Sequence, residues 1–173
     1  MIRGYKIGDS VVHWSYGLGK VIAIEEKDMG GETRQYYCVE VGPLAVWVPF
    51  SENGDSPIRP PADAEEFPGF YEILQGKAED LPDHQFMRKN LLKERLQKHT
   101  LAELCRLIRD LRGRSRVTPL NQNDSAVLQR VEANLIDEWV LSHDDVSRID
   151  AIQIMEELLA KQNPEPDTEV SQQ

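Results

Sequence analysis

The sequence predicts an α+β protein, with a small, strongly bent β-barrel at the N terminus and an all-α helical bundle after it. Three observations predict this. The first sixty residues are β-branched and aromatic runs broken by glycine and proline, whereas apolar residues beyond 68 recur at helical spacing. Between them, Asn53 to Pro68 holds four of the ten prolines, together with Gly54 and many acids, and reads as a seam. The expected division is a barrel domain over 1–60, a helical domain over 61–163 and a disordered acidic tail over 164–173.

In the first part, Val11-Val12-His13-Trp14 makes a short strand and Gly17-Leu18-Gly19 a turn. Val21 to Glu25 follows, then a hairpin at Gly30-Gly31, a long strand from Thr33 to Val41, and a further strand from Ala45 to Pro49. In the second part, Phe70, Ile73 and Leu74 mark a short helix. Residues 84–98 make another, although Met87, Leu91, Leu92 and Leu96 spread around its wheel. Thr100 to Glu103 reads as a capping box, and Leu101, Leu104, Ile108 and Leu111 form one stripe ending before Gly113. Val127, Val131, Leu135, Ile136 and Trp139 define a fourth helix; Val146, Ile149, Ile152, Met155 and Leu159 define a fifth. Asp144-Asp145 suits the start of the fifth, where carboxylates favour the helix dipole.

Composition narrows the function classes. Of the 173 residues, 40% are hydrophobic and 29% charged, a globular balance with no apolar run near the roughly 20 residues of a membrane span. The start lacks a signal-peptide core, so a cytoplasmic location is expected. Cys38 and Cys105 are far apart and outside any C-x-x-C pair, so both read as small buried apolar residues. His13, His84, His99 and His143 show no metal-ligand spacing, and Gly17-Leu18-Gly19-Lys20 lacks the spacing of a phosphate loop. No nucleophile–base constellation has a local signature. The expectation is a protein that is not an enzyme, with no cofactor, no metal, no small-molecule substrate and no membrane partner.

The net charge of −10 is uneven. Residues 84–117 carry +7, while 61–83 and 118–163 carry −6 each. Such an island can hold phosphates locally, since screening confines each patch to about 8–10 Å. It can equally be neutralised by its acidic neighbours within the fold. Within it, Phe86, Asn90, Lys93 and Gln97 share the polar side of the 84–98 helix, and Arg106 and Arg109 point away from the apolar stripe of the next one.

Ile7-Gly8-Asp9-Ser10-Val11-Val12-His13 followed by Gly17-Leu18-Gly19-Lys20-Val21 resembles the opening of the CarD family of bacterial transcription regulators. It is also similar to the polymerase-interacting domain of the transcription-repair coupling factor. The resemblance continues through Gly31-Glu32, Tyr36-Tyr37, Val46-Trp47-Val48-Pro49 and Ile58-Arg59. It extends to Arg88-Lys89, Leu101-Ala102-Glu103-Leu104, Arg109-Asp110-Leu111 and the stretch from Leu128 to Glu138.

The resemblance implies a Tudor/SH3-like barrel that binds the lobe of the RNA polymerase β subunit. It also implies a helical domain that contacts promoter DNA at the upstream edge of the transcription bubble and stabilises the open complex. No chemistry is performed; a binder that prefers open DNA shifts the equilibrium toward it.

The polymerase-binding residues expected on this basis are Lys27, at a position often basic in the family, and Trp47, which stands where several members have arginine. Alternation turns Trp47 away from Val46 and Val48, either to a partner or against the helical domain. The DNA-binding set is Phe86, Arg88, Lys89, Lys93, Arg106 and Arg109. Phe86 aligns with the family's wedge tryptophan and either inserts into the minor groove or packs on a neighbouring domain. Arg88 and Lys89 match the family's basic pair and are expected to hold phosphates. Binding to promoter DNA is expected to be weak for the protein alone, given its acidic flanks. The rival expectation is an acidic protein-only adaptor that binds polymerase or another partner through the barrel without DNA.

Overall fold

A computed structural model describes residues 4–51 and 56–162; the expected acidic tail, 164–173, lies outside them. Five strands come first: β1 Ser10–His13, β2 Gly17–Met29, β3 Glu32–Val41, β4 Leu44–Pro49 and β5 Ile58–Arg59. A 3-10 turn, Ala64–Glu66, leads into five helices: α1 Phe67–Gln75, α2 Gln85–Gln97, α3 Leu101–Ser115, α4 Gln122–Ser142 and α5 Arg148–Ala160. The chain is therefore α+β in the expected order.

The strands form one antiparallel sheet in the order β4-β3-β2-β1-β5. Gly30 and Gly31, at φ 70° and 93°, make the two-residue hairpin between Met29 and Glu32 that the sequence marks, because such a turn needs left-handed backbone twice. The expected closed barrel is an open sheet among the described residues. Its last strand, β5, is only two residues long, pairs with β1 alone and leaves β4 as an unpaired edge. A bulge at Ile22, between the pairs Val21–Val39 and Ala23–Cys38, supplies the bend instead.

The apolar residues separate into two cores. Val11, Val21, Tyr37, Val39, Val48 and Ile58 fill the inner face of the sheet. Phe67, Leu74, Leu92, Leu107, Ile108, Leu111, Leu135 and Trp139 are among those that fill the helical half, with Trp14 packed against them from the sheet side. Cys38 and Cys105 are both buried and unpaired, as their isolation in the sequence predicts.

Three boundaries differ from the pattern. The Gly17-Leu18-Gly19 segment opens β2, and Trp14 to Tyr16 make the turn. α3 runs through Gly113 to Ser115; the glycine is there because Ala78 sits so close that an added Cβ would lie 2.3 Å from its own. Asp144 and Asp145 precede α5 without capping it, a role taken by Ser147 in a reciprocal box with Asp150. The Thr100 box is half formed: its hydroxyl accepts from Glu103 N at 3.2 Å, but the Glu103 carboxylate turns to Arg95 and Arg106.

Candidate partner-binding surfaces

On the sheet, pairing of Trp47 with Cys38, and of Cys38 with Ala23, sets these residues on the face opposite Tyr37 and Val48. Trp47 is 37% exposed, and Lys27 Nζ sits 3.5 Å from the centre of its ring. Two residues singled out separately thus form one cation–π pair, with Cys38 buried beneath. The β4 edge, which carries Trp47, presents backbone groups that no other strand takes up among the described residues.

The helical candidates divide sharply. Phe86 and Met87 at the start of α2 are 67% and 60% exposed, and Lys89, Asn90, Lys93 and Gln97 continue the same exposed side. Lys89, Lys93 and Lys98 make no ion pair among the described residues. Arg88 turns the other way. Only 5% exposed, it donates from Nε to Asp124 at 2.7 Å and from Nη1 to the carbonyls of Pro82 and Asp83, both at 3.0 Å.

Helical phase explains the inversion, because Arg88, Leu92 and Leu96 form the buried stripe of α2. Arg109 is likewise drawn in, bonding the buried Asp110 at 2.8 Å. Arg106 is half-exposed and bonds Glu103 at 2.6 Å. The remaining arginines of the basic island are also engaged: Arg95 with Glu103 and Asp110, Arg112 with Glu132 and Glu156, Arg114 with Asp83, and Arg116 with Gln162 and the Leu159 carbonyl. The acidic flanks fold back onto Arg88, Arg112 and Arg114, while Glu103 and Asp110 of the island itself hold Arg95, Arg106 and Arg109. Its three lysines keep their charge at the surface.

Three buried acids escaped the sequence reading: Asp110, Asp124 and Glu138. Each lies where the sequence leaves a trace. Glu138 continues the helical row Val131–Leu135, Asp110 adjoins Leu111 on its stripe, and Asp124 sits three residues after the cap Asn121. A carboxylate within an apolar stripe signals a buried partner, since isolated burial of that charge is prohibitive.

At the seam between sheet and helices, His13 Nδ1 accepts from Ser15 N at 3.0 Å and Tyr16 N at 3.2 Å, and burial lowers its pKa. His99, in left-handed backbone at φ 59°, has its pKa pushed down to about 4, chiefly by burial and then by the charges of Arg59 and His13. Among the described residues no three His, Cys, Asp or Glu side chains gather to hold a metal ion, and no helix is long and apolar enough to cross a membrane.

Residues 5–60, the whole described sheet, match the family described as CarD-like/TRCF RID domain. Over 138 residues, the chain is 29% identical to the curated protein named "Putative transcription factor YdeB" of Bacillus subtilis (strain 168). That alignment covers 78% of this chain and 89% of the relative, so it runs through the helical half as well. The sheet is thus similar to the CarD-like/TRCF RID domain, and the alignment with that relative carries the similarity on through the helices.

Proposed function

We propose that this protein is a CarD-like transcription regulator that binds the lobe of the RNA polymerase β subunit through its sheet and contacts promoter DNA through the start of α2. The family match over residues 5–60 supports the polymerase half and belongs to no enzyme class. The single observation that carries the surface assignment is the Lys27–Trp47 pair on the outer sheet face, with Trp47 exposed beside an unpaired strand edge. A large aromatic partly open to water, with a cation fixed on its face, suits a binding hot spot, and the edge suits strand addition.

The DNA half rests on α2. Phe86, exposed in its first turn, is the wedge candidate, with Lys89 and Lys93 beside it for the phosphates. Arg88 and Arg109 serve in this reading as internal struts, and Arg106 as a partly neutralised flank. Contact at the upstream bubble edge would favour the open complex by binding it better than closed DNA. The separate sheet and helical cores support two domains, 1–60 and 61–163.

A specific observation favours a second reading. With the arginines of the basic island engaged internally, little cationic surface is left, as a protein-only adaptor would have it. The test is capture of the full chain on the β-lobe, with and without forked promoter DNA. Lobe binding that is enhanced by the fork supports the regulator; lobe binding indifferent to the fork supports the adaptor.

A further inference from the structure

We infer that Arg59 and Glu138 are positioning residues, a latch that sets the angle between the polymerase-contacting sheet and the DNA-contacting helices; this rests on the function proposed above. Arg59 ends β5, at the edge of the sheet beside β1. Its Nη1 and Nη2 donate to the two carboxylate oxygens of Glu138, near the C-terminal end of α4, at 2.7 and 2.8 Å. Glu138 is wholly buried and also accepts from the backbone of Ala62 at 3.2 Å. One carboxylate therefore holds the last strand, the segment leaving it, and a helix of the other half.

The contacts around the latch act in the same sense. Gly17, at φ 89°, lies so near α4 that an added Cβ would come within 2.5 Å of Asn134 Oδ1. Trp14 packs against the helical core. Yet these contacts are close approach and packing, which tolerate small rotations, whereas a fork-to-carboxylate pair with both arms made permits one orientation. A buried ion pair is a poor source of net stability, since apolar replacements often do as well. Its distinctive property is direction.

Direction matters when one molecule must meet two surfaces at once. The Lys27–Trp47 face and the Phe86–Lys93 face belong to different halves, and polymerase bound at one presents the other to DNA at an effective concentration set by their fixed spacing. Loosening the seam leaves each surface intact and spreads the second over a larger volume. The signature is a loss confined to the ternary complex.

The experiment uses the full chain, RNA polymerase holoenzyme and a forked promoter duplex. Arg59→Gln combined with Glu138→Gln removes both charges together, so no buried ion is left alone. This double variant should melt cooperatively and bind polymerase alone, and DNA alone, within about twofold of wild type. Polymerase-dependent enhancement of DNA binding should fall by about tenfold or more. Spin labels on cysteines placed at Glu32 and Lys93 should show a broadened distance distribution; both native cysteines are buried.

If the double variant does not fold, Arg59→Lys, which keeps the charge and loses the fork, carries the same comparison. Unchanged enhancement and an unchanged distance distribution in a folded variant would overturn the latch and leave the function standing. Wild-type protein showing no polymerase-dependent DNA binding would remove both.

Discussion

The sheet and the helical half use their cations in opposite ways. On the sheet, Lys27 stays at the surface with its ammonium over Trp47, and Arg34 meets Glu32 in full view of solvent. In the helical half, Arg88, Arg95, Arg106, Arg109, Arg112 and Arg114 pair with carboxylates, two of which, Asp110 and Asp124, are buried, while the three lysines of the island remain outside. The difference follows from the side chains. A planar guanidinium with five fixed donors can satisfy a buried carboxylate and nearby carbonyls together; an ammonium is a strongly hydrated point charge. A segment charge of +7 is thus no measure of surface potential.

The sharpest way to break this comparison is to remove a buried acid. Asp110 accepts from Arg95 Nη1 at 2.9 Å, Arg109 Nε at 2.8 Å and Glu79 N at 2.9 Å. Asp110→Ala leaves Arg95 with Glu103 alone, takes from Arg109 its buried carboxylate, and should cost about 3–5 kcal/mol of unfolding free energy in urea titration. Lys93→Ala should stay within about 0.5 kcal/mol. Equal costs would show that the arginine pairs are ornamental and that the division between structural arginines and surface lysines is false.

Next in size is Trp47→Ala, which should weaken β-lobe binding by about 2 kcal/mol or more in calorimetric titration. The melting temperature should barely move, since the ring is not part of the sheet's inner core. A large loss of stability with normal binding per folded molecule would place Trp47 among the structural residues, and the contrast between the two halves would lose its functional side.

The seam supplies an intermediate effect. His99 is held neutral in the folded protein, with a pKa of about 4 caused first by burial and then by Arg59 and His13, against a hydrogen bond with Val12 that acts the other way. Its ordinary value is near 6.5, so the unfolded chain binds a proton that the folded chain refuses between those two pH values. The stability is fully present above about pH 6.5 and drains away as pH falls toward 4. His13, also lowered by burial, adds in the same direction. Melting temperature followed from pH 7 to 5 should decline, and His99→Asn should flatten the decline. A slope unaffected by that substitution would assign it to other groups.

Much of the fold was legible because its signals are local. Strand runs, the Gly30-Gly31 hairpin and most helical stripes depend on neighbours within a few residues and appear near where the pattern puts them; the fifth stripe is the exception, since Ile149 and Ile152 are exposed and Ala151, Met155, Leu158 and Leu159 fill the buried side of α5. What failed depends on distant partners. Arg88 looks like a surface cation until Asp124, 36 residues on, reaches it. Gly113 looks like a helix stop until Ala78 is found against it. Barrel closure could not be judged from strand content, because it turns on β5 being only two residues long. The face that Trp47 takes was easier to read than the side that Arg88 takes, since alternation alone sets which face a strand residue takes, whereas the phase of α2 was blurred by apolar residues all round its wheel.

The smallest expected effect is also the most discriminating for the DNA surface. Lys89 and Lys93 lie one helical turn apart on the exposed side of α2, without ion pairs among the described residues, next to Phe86. If each neutralises one phosphate, Lys89→Gln with Lys93→Gln should reduce the salt dependence of DNA binding by about two units of slope, alike for every sequence. Arg88→Gln should leave the slope unchanged, because that charge already answers Asp124, and should act instead through stability and the setting of the first turn of α2. Phe86→Ala should spare duplex binding and weaken only the fork, where an unstacked step is available to an apolar wedge. The measurement is binding to forked and closed duplexes across a salt series, with polymerase present because the acidic flanks make the protein alone a weak ligand. A slope that falls for Arg88→Gln and not for the lysines would reverse the assignment of interior and surface. Identical slopes and fork ratios for all three variants and wild type would leave the α2 face without a nucleic-acid role and favour the adaptor.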